Sequence, residues 1–141
     1  MRIVDITIEH ALHIVNNMRE VDVREICASR RNDDLIEFAH ECVALGGWVA
    51  LTIDGEPAIM GGFAMVWDDM ANAWMVGTDR AGECIITATR FARKAMVLMG
   101  FKRYQAFSAC FHTQSHEWLE YLGFAKAHTM KYWGRGGADF Y

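Results

Sequence analysis

The opening residues Arg2-Ile3-Val4-Asp5-Ile6-Thr7 alternate like a short strand, and Thr7 is well placed to cap a following helix. Past it, Ile8, Ala11, Leu12, Val15 and Met18 recur at three- and four-residue spacing, which leaves His10, His13, Asn16 and Asn17 on the other side of an amphipathic helix. Glu20 to Cys27 repeats that pattern with Val21, Val23 and Ile26. The polar stretch Ser29 to Asp34 interrupts it, and Leu35 to Leu45 makes a third helix ended by Gly46-Gly47.

From Trp48 the period changes to two. Trp48 to Ile53 reads as a strand, Asp54-Gly55 as a hairpin turn, and Ala58 to Trp67 as the return strand, whose Gly61-Gly62 marks a bulge or a close approach by another backbone or a ligand. Asp68-Asp69 turns the chain into a further strand, Ala71 to Thr78, so a three-stranded antiparallel meander is expected. Asp79 to Gly82 reads as a loop and Glu83 to Met99 as a long helix stopped by Gly100. Tyr104 to Phe111 is β-rich, His112 to Leu122 a helix ended by Gly123, and Ala125 to Trp133 a last strand before the Gly134-Arg135-Gly136-Gly137 turn. Strand, crossover helix and strand in succession imply a parallel pair, so the class is α/β (α+β) with a mixed sheet.

Composition narrows the function. With 52% hydrophobic and 23% charged residues in 141, the chain can bury a core and lacks the signature of disorder. Its 18 acidic against 14 basic residues give a formal net charge of -4, which argues against nucleic acid as a primary partner. No apolar run is long enough to span a bilayer, and Met1 to Ile6 lacks the regions of a secretory signal, so a reducing cytoplasm is expected. The cysteines Cys27, Cys42, Cys84 and Cys110 form no CxxC pair and read as free thiols.

The order of elements resembles the GNAT (acyl-CoA N-acyltransferase-like) superfamily over the whole chain. A sharper likeness lies in His112-Thr113-Gln114-Ser115-His116-Glu117-Trp118-Leu119-Glu120-Tyr121-Leu122-Gly123-Phe124. The family's late motif has an Asn, a small residue three positions on, a Tyr, and a Gly-Phe that closes the helix. Here His112 stands at the Asn position, Ser115 at the small one and Leu119 at the Tyr. Tyr121 lies two residues beyond Leu119, about 200° further round the helix. The resemblance implies a three-layer fold, a central mixed sheet of about six to seven strands with helices on both faces, and one domain over residues 1–141.

Shorter likenesses link the chain to GNAT-like proteins of tailed phages, including the internal virion protein A type. They are Asn17-Met18-Arg19-Glu20-Val21-Asp22, the Asp54-Gly55-Glu56-Pro57-Ala58 hairpin, Trp74 to Thr78, and Ser115-His116 with Trp118-Leu119 and Gly123-Phe124. They imply a phage origin, a virion or host protein as partner, and a place in the host cytoplasm or the virion.

In such folds the pyrophosphate of acetyl-CoA sits on backbone amides where a loop enters the long helix, since a helix N-terminus offers N–H groups and a positive dipole end. The resemblance therefore implies that acetyl-CoA or CoA would be met by Val76, Thr78, Arg80 and Gly82, and by His112 and Ser115 of the late motif. The loop departs from the family signature: Arg80-Ala81-Gly82-Glu83-Cys84 brings its Gly one position early and puts Glu83 where the anion would lie. Arg90, Arg93 and Lys94 further along are either basic compensation or a solvated face. No residue is identified as catalytic. Asp68 and Asp69 are either acceptor-side bases or turn residues, and Cys110 is either an acyl acceptor or an inert thiol. His112 and His116 are four apart, but no third ligand accompanies them and no metal is expected. Most of Trp48, Trp67, Trp74, Trp118 and Trp133 should be core, and an exposed Phe140-Tyr141 terminus would favour a partner surface.

Overall fold

A computed structural model describes residues 1–141. Strand β1 (Arg2–Asp5) leads to Thr7, whose side chain accepts from the His10 N–H at 3.3 Å and caps α1 (Ile8–Asn16). After α2 (Glu20–Ala28), Asp34 accepts from the Glu37 N–H at 3.0 Å and starts α3 (Leu35–Leu45). Strands β2 (Trp48–Leu51), β3 (Pro57–Trp67) and β4 (Met70–Gly77) follow, then α4 (Ala81–Met99), β5 (Arg103–Gln105) and α5 (Thr113–Leu122). Both later helices stop at a left-handed glycine, Gly100 at φ 66° and Gly123 at φ 104°, where a side chain would be strained.

The five strands form one sheet in the order β1-β2-β3-β4-β5. Its first three junctions are antiparallel and the last, β4 with β5, is parallel. The mixed meander is thus as the sequence patterning predicts, and the class is α/β with helices on both faces. Ala58, Ile59 and Met60 are consecutive and each 0% exposed. Successive strand residues point to opposite faces, so both faces of β3 are covered. Helices α1 and α3 pack together on one face, and α4 packs on β1, β2 and β3 from the other, with Phe91 edge-on to Trp48 at 5.6 Å.

The chain divides into two compact units. The first, Met1–Arg19 with Asp34–Gln105, contains the whole sheet, α1, α3 and α4. The second, Glu20–Asp33 with Ala106–Tyr141, contains α2 and α5 and is organised around its own terminus. Phe140 exchanges backbone hydrogen bonds with Met130, and Tyr141 with Ser108, while Cys110 N–H donates to Asp139 O at 2.9 Å. Phe140 is 1% exposed and is the largest buried side chain of that unit.

Several expectations are corrected here. The sheet has five strands rather than six to seven. The β-rich run to Phe111 stays in the sheet only as far as Gln105, because Ser108 and Cys110 commit their backbone groups to the terminus. Ala125 to Trp133 makes only the bridge at Met130: residues 125–129 are solvent-exposed, so no burial favours an extended strand, and Tyr132 at φ 54° breaks the run. The Phe140 terminus is core, not a partner surface. Of the five tryptophans only Trp48 is buried, and Trp67 and Trp133 are exposed. Gly61-Gly62 makes no bulge, since its pairing with Met75 and Trp74 is regular. The glycines mark a close approach instead: a Cβ on Gly47 would lie 2.5 Å from Gly61 O, and one on Gly62 would lie 3.1 Å from Gly46 O.

Candidate functional site

The residues implied for acyl-CoA fall in both units, and each group has its own chemistry. In the first unit Val76 is buried in β4 opposite Met60. Thr78 is buried at the end of that strand. Its N–H donates to Ala58 O at 2.9 Å, its hydroxyl accepts from Arg80 N–H at 3.2 Å, and its carbonyl accepts from Ala81 N–H at 2.9 Å. These bonds start α4 two residues earlier than the sequence suggests. No side chain caps its first turn, and the Cβ direction of Gly82 is open.

The Arg80 side chain dominates that turn. Its Nε and Nη2 donate to Glu83 at 2.7 and 2.9 Å, and its two terminal nitrogens donate to Asp54 at 3.1 and 2.9 Å. A further ion-paired hydrogen bond runs from Nη1 to Glu56. Glu56 also accepts from His13 Nε2 at 3.2 Å, and Asp54 accepts from the Thr52 hydroxyl at 2.5 Å. Hydrogen bonds from Arg80 and Thr52 hold the Asp54 carboxyl far below the usual carboxylate range. Those from Arg80 lower Glu83 as well, and the carboxylates raise Arg80 in turn. The hairpin that reads as a plain turn thus meets the start of α4 through charge. Nothing local signals this, because Asp54 and Glu56 precede Arg80 by 26 and 24 residues.

Strand β4 has a second feature. Its ladder with β5 covers only Met70, Ala71 and Asn72, and Gly77 O accepts from Arg19 N–H at 3.0 Å. Between them, from Ala73 to Val76, the edge of β4 away from β3 carries no strand.

In the second unit His112 is 3% exposed and caps α5. Its Nε2–H donates to Asp22 Oδ1 at 2.5 Å and its Nδ1 accepts from Ser115 N–H at 3.3 Å, so both ring nitrogens are used within the protein. Asp22 is 2% exposed. The Ser115 and Ser108 hydroxyl oxygens are 3.1 Å apart, and Glu25 accepts from Ala109 N–H at 2.8 Å with Ser108 Oγ 3.4 Å away. Burial raises the Glu25 carboxyl above its ordinary range, against the lowering effect of the Ala109 N–H. Asp22, Glu25 and Ser108 are partners the sequence does not single out.

The remaining candidates are separate. His116 donates from Nε2 to Ala109 O at 2.9 Å, and no group of three His, Cys, Asp or Glu side chains is placed to hold a metal ion. Asp69 lies 3.5 Å from the exposed Lys102. All four cysteines are free thiols, Cys42 and Cys84 buried and Cys27 and Cys110 partly so. Burial raises both the Cys84 and the Cys27 thiol. No helix is long and apolar enough to cross a membrane.

Three solved structures define what this architecture is similar to. A GNAT-family acetyltransferase from Bacillus anthracis superposes with a TM-score of 0.74 at 15% identity, over 99% of this chain and 90% of that one. Ard1 from Thermoplasma volcanium gives 0.73 at 10% identity, over 99% and 93%. The fold is that of the GNAT acetyltransferases. The GNAT phosphinothricin acetyltransferase from Sinorhizobium meliloti, solved in complex with acetyl-CoA, gives 0.72 at 15% identity over 99% and 84%. No family model and no curated protein sequence matches the chain, so the GNAT likeness is one of fold.

Proposed function

We propose that this chain is a GNAT-fold protein with a degenerate acetyl-CoA site that serves as an assembly-related protein of the internal virion type. In this reading residues 1–141 act as one GNAT-like domain that meets a virion or host protein in the host cytoplasm. The observation that carries it is the Arg80 cluster. Three carboxylates, Asp54, Glu56 and Glu83, surround one guanidinium, and Nε, Nη1 and Nη2 of Arg80 all donate to them. The turn that would cradle the CoA pyrophosphate is therefore net negative, and the anion would have to displace Glu83 or Asp54 from Arg80. A pyrophosphate does not fit that environment. Leu119 at the Tyr position adds a second argument, because it has no proton to give a departing thiolate. The phage assignment rests on the short sequence likenesses.

Specific observations favour a second reading, an active N-acetyltransferase that moves the acetyl group of acetyl-CoA to an amine of a small molecule or host protein. The first turn of α4 has no side-chain cap, Gly82 leaves its approach open, and β4 has an unpaired edge from Ala73 to Val76.

Thermal melting with acetyl-CoA separates the two. A ligand at a hundred times its Kd stabilises the folded state by about 2.7 kcal/mol. The degenerate site predicts no shift at millimolar acetyl-CoA. A clear shift that is lost in Gly82→Glu would overturn that reading in favour of the enzyme.

A further inference from the structure

Two helices of the first unit carry exposed faces of opposite charge and similar spacing. On α4 no acidic residue follows Glu83, and Arg90, Arg93 and Lys94 are exposed between bare aliphatic side chains: Ile86 is 66% exposed, and Val97 and Leu98 are each 80%. On α3 no Lys or Arg occurs. Glu37 and Glu41 are exposed there, Asp34 caps the start, and Ile36 and Leu45 are 47% and 56% exposed. Buried Ala39 and Cys42 hold the other side of α3 against the fold, as Ala88 and Ala92 do for α4.

The stripes match in one register. On α4, Ile86, Arg90 and Lys94 recur every four residues and so share a face. On α3 the same holds for Glu37, Glu41 and Leu45, and each stripe is about 12 Å long. Set antiparallel, Ile86 meets Leu45, Arg90 meets Glu41 and Lys94 meets Glu37, while Ile36 falls beside Val97 and Leu98. In the parallel setting Ile86 would face Glu37 and Lys94 would face Leu45. Aliphatic side chains this exposed lose unfavourable hydration when covered, and the opposed charges fix the register.

We infer that the exposed face of α4 is a docking surface for α3 of a second copy of this chain. Because α3 and α4 lie on opposite faces of the sheet, the contact is head-to-tail: each copy offers α3 to one neighbour and α4 to another, and the series closes into a ring or continues as a fibre. The interface is electrostatic in its pairing and weakens as salt rises. It does not depend on whether acetyl-CoA binds.

Sedimentation velocity over a concentration series, at low and high salt, tests this with two charge-reversed variants. The wild type is expected to self-associate at low salt and to dissociate at high salt. R90E/K94E and E37K/E41K should each weaken association about tenfold or more, since like charges then face each other. Mixing the two variants should restore association, because each then supplies the helix that the other needs, a result a misfolded variant cannot give. A wild type that stays monomeric at low salt overturns the inference, as does association that neither reversal weakens or that mixing fails to restore. Binding of the monomer to phosphatidylserine vesicles, lost in R90E/K94E, would instead assign the basic face to a membrane.

Discussion

Helices α4 and α5 each start from a tight turn, closed by Ala81 N–H to Thr78 O and by His112 N–H to Ala109 O, yet their first turns are held in opposite ways. At the start of α4 the charged side chains meet at the surface, with Arg80 shared among Asp54, Glu56 and Glu83. At the start of α5 the holding pair is buried: the cap residue His112 is tied to Asp22, with neither residue more than 3% exposed. Water can replace any partner of Arg80, so that cluster is adaptable and adds little to stability. It cannot reach His112 or Asp22, so each depends on the other. The first arrangement can change its partners at little cost, and the second fixes the fold.

The largest effect on this contrast should come from His112→Ala. It leaves Asp22 buried without the imidazole and Ser115 N–H without its cap, at a cost of about 3 kcal/mol, read as a fall in melting temperature of roughly 10 °C. A loss as small as that of a surface variant would remove the distinction between the two sites.

Next comes Glu25, whose carboxyl is raised mainly by burial, with Asp22 raising it and the Ala109 N–H, His112 and Ser108 lowering it. The folded state therefore holds a proton there more tightly than the unfolded chain. The stability this confers is complete below the ordinary glutamate pKa of 4.5 and is lost as pH rises through the higher folded value. Glu25→Gln removes that loss and can keep the bond from Ala109 N–H. Melting curves from acid to neutral pH should show the wild type falling behind the variant as pH rises.

At the other helix, Gly82→Ala should stabilise by about 0.5 to 1 kcal/mol in chemical denaturation, since the added methyl meets nothing within 4 Å and alanine is the better helix former. Destabilisation would mean that the open turn needs its glycine. The smallest change is expected for Arg80→Met. It leaves three carboxylates with no guanidinium between them, so the melting temperature should rise with added salt more steeply than in the wild type, with little difference once the charges are screened. A large loss at high salt would show that the cluster holds the fold.

Much of this fold is legible without coordinates because its boundary signals are local. Thr7, Asp34, Gly46, Gly100 and Gly123 act within a turn of where they stand, and Asp54-Gly55 closes its hairpin over a few residues. The failures occur where a run of residues was compatible with a strand but its partner decided otherwise. Ala125 to Trp133 has strand formers only in Thr129, Tyr132 and Trp133, and its residues 125–129 are solvent-exposed. The site is less legible than the fold. Arg80 and His112 could be named from their places after a strand and before a helix, but what each touches could not.

The sequence by itself determined the order of the helices, most of their ends, the antiparallel meander followed by a parallel pair, and the free state of the thiols. These follow from periodicity, capping chemistry and residue composition, which act over a few positions. Only the tertiary structure decided that Phe140 is a core residue, that Asp22 and His112 form a buried pair 90 residues apart, and that Arg80 meets Asp54 and Glu56 of the β2–β3 hairpin. Those outcomes depend on which distant segments compete for the same backbone hydrogen bonds and the same buried space, and no window along the chain carries that information.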